Sequence, residues 1–255
     1  MADYDNRALR GQTGAVAGID AGLRSYMLRI YNYMFAGLAL TGVAAFGAYL
    51  ATVTSDPSAA VARLPNGVLL TSFGVMLAGP FMWILLLASF GLVMFLSFRI
   101  NKMSVGAAQI SFLGYAALVG VTLAPLFIIY TQTSIAQVFF ITAATFGAMS
   151  LWGYTTRTDL TGFGSFLFMG LIGIIIASVV SFFVQSTMLT WVISVAGVLI
   201  FTGLTAYDTQ WIKNNYVESD DSTVAGRKAI FGALKLYLDF LNLFLMLLRL
   251  MGNRR

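Results

Sequence analysis

Two residue types that carry much of enzyme and metal chemistry are missing, because the 255-residue chain has no cysteine and no histidine. Their absence excludes disulfides, thiolate nucleophiles, imidazole acids and bases, and the usual zinc sites. Charge is also scarce, since only 10% of the residues are charged and soluble domains carry roughly 25%. Many enzyme classes are therefore excluded, and lipid rather than water is indicated as the main solvent.

Apolar residues make up 59% of the chain, and the mean hydropathy is +0.85. A helix that crosses a hydrocarbon core of about 30 Å needs roughly 20 apolar residues. Runs of this length recur, so we predict an all-α integral membrane protein with about seven transmembrane helices. The predicted spans are about 30–52, 78–98, 105–130, 134–154, 163–184, 188–212 and 229–251. They form a single membrane domain, 26–252, after a polar cytoplasmic N-terminal tail, 1–25.

Glycine, proline and short links within the apolar runs predict where helices break, turn and pack closely. Gly79-Pro80 interrupts a run too long for one span, so a kinked or interfacial piece should precede the second span. The links at 131–133 and 185–187 are short and uncharged, which predicts two tight helical hairpins. Small residues at helical spacing predict close helix contacts; they are Ala143 with Gly147 and Gly170 with Gly173.

The basic residues indicate orientation rather than nucleic-acid binding. They are scattered singly through loops and form no basic stripe. With the N-terminus in the cytoplasm, most of the 15 basic residues fall on the cytoplasmic side, as the positive-inside rule requires. The C-terminus stays open, because a last helix that dips in and returns would place Arg249, Arg254 and Arg255 inside.

Two carboxylates stand apart from the other acidic residues. Eight of the ten acidic residues fall in the tail or in loops, and only Asp208 and Asp239 lie within apolar runs. A charge at membrane depth costs at least a few kcal/mol, so such groups usually face a bundle interior or an aqueous cavity and carry function. Solvation at the membrane interface is the alternative.

The last span has a polar edge. Lys235, Asp239, Asn242 and Arg249 are separated by 4, 3 and 7 residues, with Met246 between the last two, which places them along one helix face. Lipid would penalise such an edge, so we expect this helix at the centre of the bundle. The alternative is an internal salt bridge between Lys235 and Asp239.

The stretch Leu-Thr-Ala-Tyr-Asp-Thr-Gln-Trp-Ile-Lys at 204–213 and the stretch Ala-Leu-Lys-Leu-Tyr-Leu-Asp-Phe-Leu-Asn-Leu-Phe-Leu-Met-Leu-Leu-Arg at 233–249 resemble the C-terminal signature of the Bax inhibitor-1 family, in its bacterial form. The resemblance implies six helices, in two layers of three, around a central C-terminal helix. It also implies a pH-sensitive calcium leak channel, with Asp208 and Asp239 as a hydrogen-bonded pH sensor. The family places an arginine near this pair, and Arg99 is the nearest candidate.

Two adjacent carboxylates in a poorly hydrated site should retain one proton to a higher pH than a free aspartate, and losing it would push helices apart. Together they offer calcium only a weak site, which suits permeation. We therefore expect no enzyme and no cofactor, with calcium and protons as partners in a bacterial inner membrane. The rivals are an intramembrane aspartyl protease, whose Gly-x-Gly-Asp context Asp239 lacks, and a non-conducting protein that restrains a membrane protease or another membrane complex.

The predicted orientation can be tested by cysteine labelling, because the native chain contains no cysteine. The loop 53–77 is predicted outside and the loop 213–228 inside. Ser58→Cys should therefore react with a membrane-impermeant maleimide in intact cells, and Ser219→Cys should react only after the cells are opened. Labelling of Ser219→Cys alone in intact cells would invert the orientation.

Overall fold

The computed structural model describes the backbone of residues 2–255 and the side chains of residues 21–255. The predicted tail, 1–25, therefore lies mostly outside the described side chains. The helices are α1 (Ala2–Thr52), α2 (Ser72–Ala78), α3 (Phe81–Arg99), α4 (Val105–Leu123), α5 (Leu126–Ile129), α6 (Gln132–Thr155), α7 (Thr161–Val184), α8 (Thr187–Asn214) and α9 (Ser222–Met251). Three short strands, β1 (Val53–Thr54), β2 (Ala62–Arg63) and β3 (Leu69–Leu70), form an antiparallel sheet in the order β1-β3-β2.

Seven of these helices are long and apolar enough to cross a membrane: α1 from Ala21 onward, α3, α4, α6, α7, α8 and α9. The prediction of an all-α integral membrane protein with seven spans is confirmed. The chain breaks between α2 and α3 at Gly79-Pro80, as predicted, because proline cannot continue the backbone ladder of a helix.

Short polar side chains cap the N-termini of α4, α6, α8 and α9. Ser104, Thr131 and Ser186 each accept a hydrogen bond from a backbone N–H in the first turn of α4, α6 and α8. Asp221 does the same for α9, and the N–H groups of Val224 and Thr223 that donate to it lower the pKa of its carboxyl. These caps satisfy backbone donors that would otherwise lack a partner at a helix start.

The helices form two layers of three with α9 between them. In one layer α4 packs against both α1 and α3, and in the other α8 packs against both α6 and α7, while α9 contacts α1, α4, α6 and α8. Within its most apolar window, 72% of the residues of α9 are buried, against at most 33% in the other six spans. The last helix therefore lies inside the bundle.

One of the two predicted hairpins is wrong. α7 and α8 pack together, and Gln185 ends α7 in the left-handed conformation with φ of 49°. α4 and α6 instead belong to different layers and make little contact with each other. The short helix α5 and its flanking residues carry the chain across the end of α9, which separates the two spans.

The end of the chain shows that α9 crosses the bundle completely. Gly226, at the start of α9, packs against Val105 at the start of α4. Beyond the other end of α9, the Thr131 N–H donates to the Asn253 carbonyl at 3.0 Å, and the Arg255 N–H donates to the Ile129 carbonyl at 2.9 Å. The C-terminus thus lies at the bundle end that carries the α4–α6 link, so α9 does not turn back.

Close helix packing involves one of the predicted glycines and several others; a Cβ on the predicted Gly170 would lie 2.7 Å from Ile200 Cδ1 of α8. A Cβ on Gly120 would lie 2.5 Å from the Thr41 carbonyl oxygen of α1, and a Cβ on Gly153 would overlap the Ala206 carbonyl oxygen of α8. A Cβ on Gly147 or Gly173 would meet nothing within 4 Å. The predicted close contact is therefore wrong at these two positions.

Gly153 and Gly147 on α6 give a matched pair for a stability test. Gly153→Ala should lower the free energy of unfolding by about 1–3 kcal/mol, because α6 and α8 must move apart. Gly147→Ala should be neutral or stabilising by up to about 1 kcal/mol, because alanine favours the helix and the site is open. Unfolding of the purified protein in detergent would measure both changes. Equal effects at the two positions would contradict the close approach at Gly153.

Candidate functional site: a buried carboxylate pair

The structure brings Asp208 of α8 and Asp239 of α9 together. Their exposed fractions are 7% and 5%, and both line a cavity of about 950 Å³ between α7, α8 and α9. The two carboxyl groups are close enough to hydrogen-bond when one of them is protonated. Sequence separation gave no measure of this distance, because it depends on how α8 and α9 pack.

Lys235 of α9 neutralises one member of the pair. Its Nζ donates to Asp208 Oδ1 at 2.6 Å and lies 4.5 Å from the centroid of the Trp211 ring and 5.9 Å from that of the Tyr207 ring. The bridge therefore joins two helices and is not the internal Lys235–Asp239 bridge considered above. A carboxylate and two aromatic faces compensate an ammonium group that is mostly removed from water.

Asp239 retains an unused acceptor. Its Oδ2 is buried and has no hydrogen-bond partner among the residues whose side chains are described. Asn242, one turn further along α9, uses its Nδ2 to donate to the Leu238 carbonyl at 2.8 Å. A buried polar atom without a partner is costly, and a proton shared with the adjacent Asp208 carboxyl group would reduce that cost.

Only part of the predicted polar edge reaches the site. Lys235, Asp239, Asn242 and Met246 line the cavity. Arg249 is exposed near the far end of α9, and Arg99 is exposed at the end of α3; neither lines this cavity. A gating role for Arg99 stays a prediction.

Charge alone did not indicate several residues that surround or support Asp208. Trp211 and Tyr207 bracket Asp208 in the quoted Tyr-Asp-Thr-Gln-Trp motif, and Gln210 accepts from the Leu160 N–H and donates to the Thr158 carbonyl, both at 2.8 Å. Gln210 thereby ties α8 to the link between α6 and α7. The spacing of Trp211, three residues after Asp208, could have indicated a shared helix face.

A chain of hydroxyls fixes α8 on the other side. The Tyr31 hydroxyl lies 2.6 Å from Ser150 Oγ, which lies 2.9 Å from Thr209 Oγ1. These contacts join α1, α6 and α8 beside Asp208. Polar contacts between helices of this kind help hold membrane bundles together.

The described residues offer little for a tightly bound metal. Among residues 21–255, no three Asp, Glu, His or Cys side chains come together as a possible ligand group. Asp208, Asp239 and Asn242 line one cavity, and calcium prefers six to eight oxygen ligands. The donor set fits at most a weak calcium site.

Fold and site together define an integral membrane protein of seven helices with a carboxylate pair buried against its innermost helix. Residues 23–255 match the family model described as "Inhibitor of apoptosis-promoting Bax1", and the chain belongs to the Bax inhibitor-1 family. It is 48% identical to "Inner membrane protein YbhL" of Escherichia coli (strain K12) over 237 residues, which cover 92% of this chain and 94% of the relative. It is also 44% identical to an uncharacterized protein of Rickettsia prowazekii, with 92% of each chain covered.

The Asp208–Lys235 pair should contribute to folding as a unit. Asp208→Asn or Lys235→Met alone should each lower the free energy of unfolding by about 1–3 kcal/mol, because each leaves a mostly buried charge without its partner. The double variant should be less destabilised than the sum of the two. Unfolding in detergent of all four proteins gives the coupling.

The Lys228–Asp220 pair is the matched control, with the same 2.6 Å separation; Asp220 lies in the loop before α9, Lys228 lies near the start of α9, and both side chains are somewhat more exposed. Its coupling should be only about 0.2–1 kcal/mol. Strictly additive effects of Asp208→Asn and Lys235→Met would contradict the interaction between these two side chains.

Proposed function

We propose that this protein is a calcium leak pathway of a bacterial inner membrane whose opening depends on protonation of the Asp208–Asp239 pair. The observation that carries the proposal is the meeting of these two carboxyl groups, buried and adjacent, on the wall of a membrane-embedded cavity. The name of the Escherichia coli relative, an inner membrane protein, supports the location.

Electrostatics supports a proton-dependent switch at this position. Two carboxylates in contact and away from water do not both ionise without a large cost. Lys235 balances one negative charge through Asp208, so a single proton on the pair leaves the site neutral. Loss of that proton adds an uncompensated charge between α8 and α9, which favours a separated arrangement of these helices.

The same geometry supports a weak and transient calcium site. Calcium needs several oxygen ligands, and permeation requires an ion to leave as readily as it enters. Lys235 occupies Asp208 Oδ1 at 2.6 Å, so an entering cation has to displace the ammonium group or pass while the pair is open. Tight binding is not expected from this arrangement.

The aspartyl protease alternative is less well supported. Such an enzyme needs both carboxyl groups free to activate one water between them. Here one oxygen of Asp208 is bound to Lys235, and Asp239 follows Leu236-Tyr237-Leu238 rather than Gly-x-Gly. We therefore propose no catalytic role for the pair.

The flux experiment uses purified protein in liposomes that contain a calcium indicator, across a series of pH values. Wild-type flux should change with pH, and Asp239→Asn should remove most of that change, because the variant cannot bind or release a proton at this position. Asp208→Asn should act in the same direction. Both replacements preserve side-chain shape, so the protein should remain folded.

Asp220→Asn is the control, because Asp220 also pairs with a lysine at 2.6 Å but lies in the loop between α8 and α9. It should leave the pH profile unchanged. A pH response that survives in both Asp239→Asn and Asp208→Asn would show that the pair is not the sensor. Absence of wild-type flux at every pH would instead favour the non-conducting regulatory protein.

A further inference from the structure

The cavity beside the carboxylate pair is strongly asymmetric in its chemistry. Its charged and amide side chains, Asp208, Lys235, Asp239 and Asn242, come from α8 and α9, whereas the α7 wall is aliphatic or aromatic apart from Ser165 and Ser178. Along α9 the lining runs from Lys235 to Met246, a length of about 16 Å at 1.5 Å per residue. This is roughly half of a hydrocarbon core, and the volume of about 950 Å³ suits a small molecule.

This cavity opens sideways, between α3 and α7. These two helices make little contact with each other; Trp83 and Phe182 meet near their ends, with ring centroids 6.1 Å apart. Phe90 of α3 and Ile175 and Val179 of α7 line the cavity, yet their exposed fractions are 63%, 56% and 58%. In a membrane this opening faces lipid, so molecules dissolved in the bilayer can enter without crossing water.

The polar end offers a carboxyl group on the cavity wall and one incompletely used donor. Asp239 lines the cavity and is 5% exposed, and because its Oδ2 is closed off from the cavity, a ligand meets the remaining, accessible part of this carboxyl group. Lys235 Nζ carries three N–H groups, and among the described residues its hydrogen bond goes to Asp208 Oδ1. A ligand group that donates one hydrogen bond and accepts another would satisfy both side chains.

We propose that this cavity binds a single-chain amphiphile from the bilayer whose head is a hydroxyl or a protonated carboxyl group. The head donates to the Asp239 carboxyl group and accepts from Lys235, and the alkyl chain lies along α7 between Phe90 and Val179. A long-chain alcohol and a fatty acid share this chemistry. An alkane or an ether cannot donate to Asp239, and a quaternary ammonium head would meet the Lys235 charge.

The test uses the full-length protein in lipid nanodiscs and a long-chain primary alcohol that carries a photoreactive diazirine on its chain. After illumination, mass spectrometry should locate the label on the α7 or α3 segments that line the cavity. Unlabelled alcohol or the matching fatty acid should compete, and the methyl ether of the alcohol should compete roughly tenfold less well, because a lost hydrogen bond leaves Asp239 unsatisfied. Equal competition by the alcohol and its ether would overturn the proposed head-group contacts.

Neighbouring valines of α7 provide a matched pair of variants. Val179 lines the cavity, whereas Val180 is exposed and does not. Val179→Trp should fill the space and abolish most labelling, and Val180→Trp should leave it unchanged. Asp239→Leu should remove the preference for the alcohol over the ether while the Asp208–Lys235 pair stays intact. Labelling that is equal in Val179→Trp and Val180→Trp would place the alcohol outside this cavity.

This inference shares Asp239 with the proposed leak pathway but does not require the chain to conduct. Alcohol-specific labelling without calcium flux would overturn only the leak. Flux with indiscriminate labelling would overturn only the amphiphile site.

Discussion

The polar edge of α9 is the constraint on which the arrangement of the other helices depends. Lys235, Asp239 and Asn242 follow one another along a helix whose remaining residues are largely Leu, Phe and Met, and hydrocarbon would penalise each of these groups. Enclosing α9 between two layers of three helices turns this edge toward a cavity between α7, α8 and α9 instead of the outer surface of the bundle. The salt bridge from Lys235 to Asp208 then ties the enclosed helix to its neighbour in one layer, and a contact between the Tyr237 hydroxyl and Thr41 Oγ1 at 2.7 Å ties it to the other.

Enclosing α9 does not give every polar side chain a hydrogen-bond partner, and the chemistry of the site depends on the one that lacks a partner. Asp208 has Lys235, and Asn242 has the carbonyl of Leu238, but Asp239 Oδ2 has no partner among the described residues. A protein that needed only stability could replace Asp239 by leucine with little loss of packing. The carboxylate pair therefore lies on the wall of a cavity, and under the two proposals a proton, a cation or a ligand head group would interact there.

Sequence reasoning predicted the membrane class, the seven spans and the isolation of Asp208 and Asp239, because composition and long apolar runs depend little on tertiary contacts. It did not predict which helices meet. The short link after α4 indicated a hairpin, but α9 separates α4 from α6. Small residues at helical spacing correctly indicated Gly170, but they also indicated Gly147 and Gly173, which are open, and they missed Gly120 and Gly153. Residue spacing defines a helix face but not the helix that packs against it. Spacing therefore could not predict the salt bridge from Lys235 to Asp208.

The hydrogen bonds of α8 toward α6 and toward α7 differ, and this difference affects which neighbouring helix moves when the carboxylates change. On the side of α6, Gln210 holds the link at 158–160, and Thr209 belongs to the hydroxyl chain through Ser150 to Tyr31. On the side of α7 the cavity interrupts the packing. Under the proposed function, we therefore expect α7 to move more easily than α6, because moving α6 breaks buried hydrogen bonds, whereas α7 meets α8 mainly through apolar contacts and one hydroxyl contact of 3.3 Å between Ser181 and Thr190. α7 is also the span with the smallest buried share of its apolar window, 11%, so less protein packing opposes its displacement.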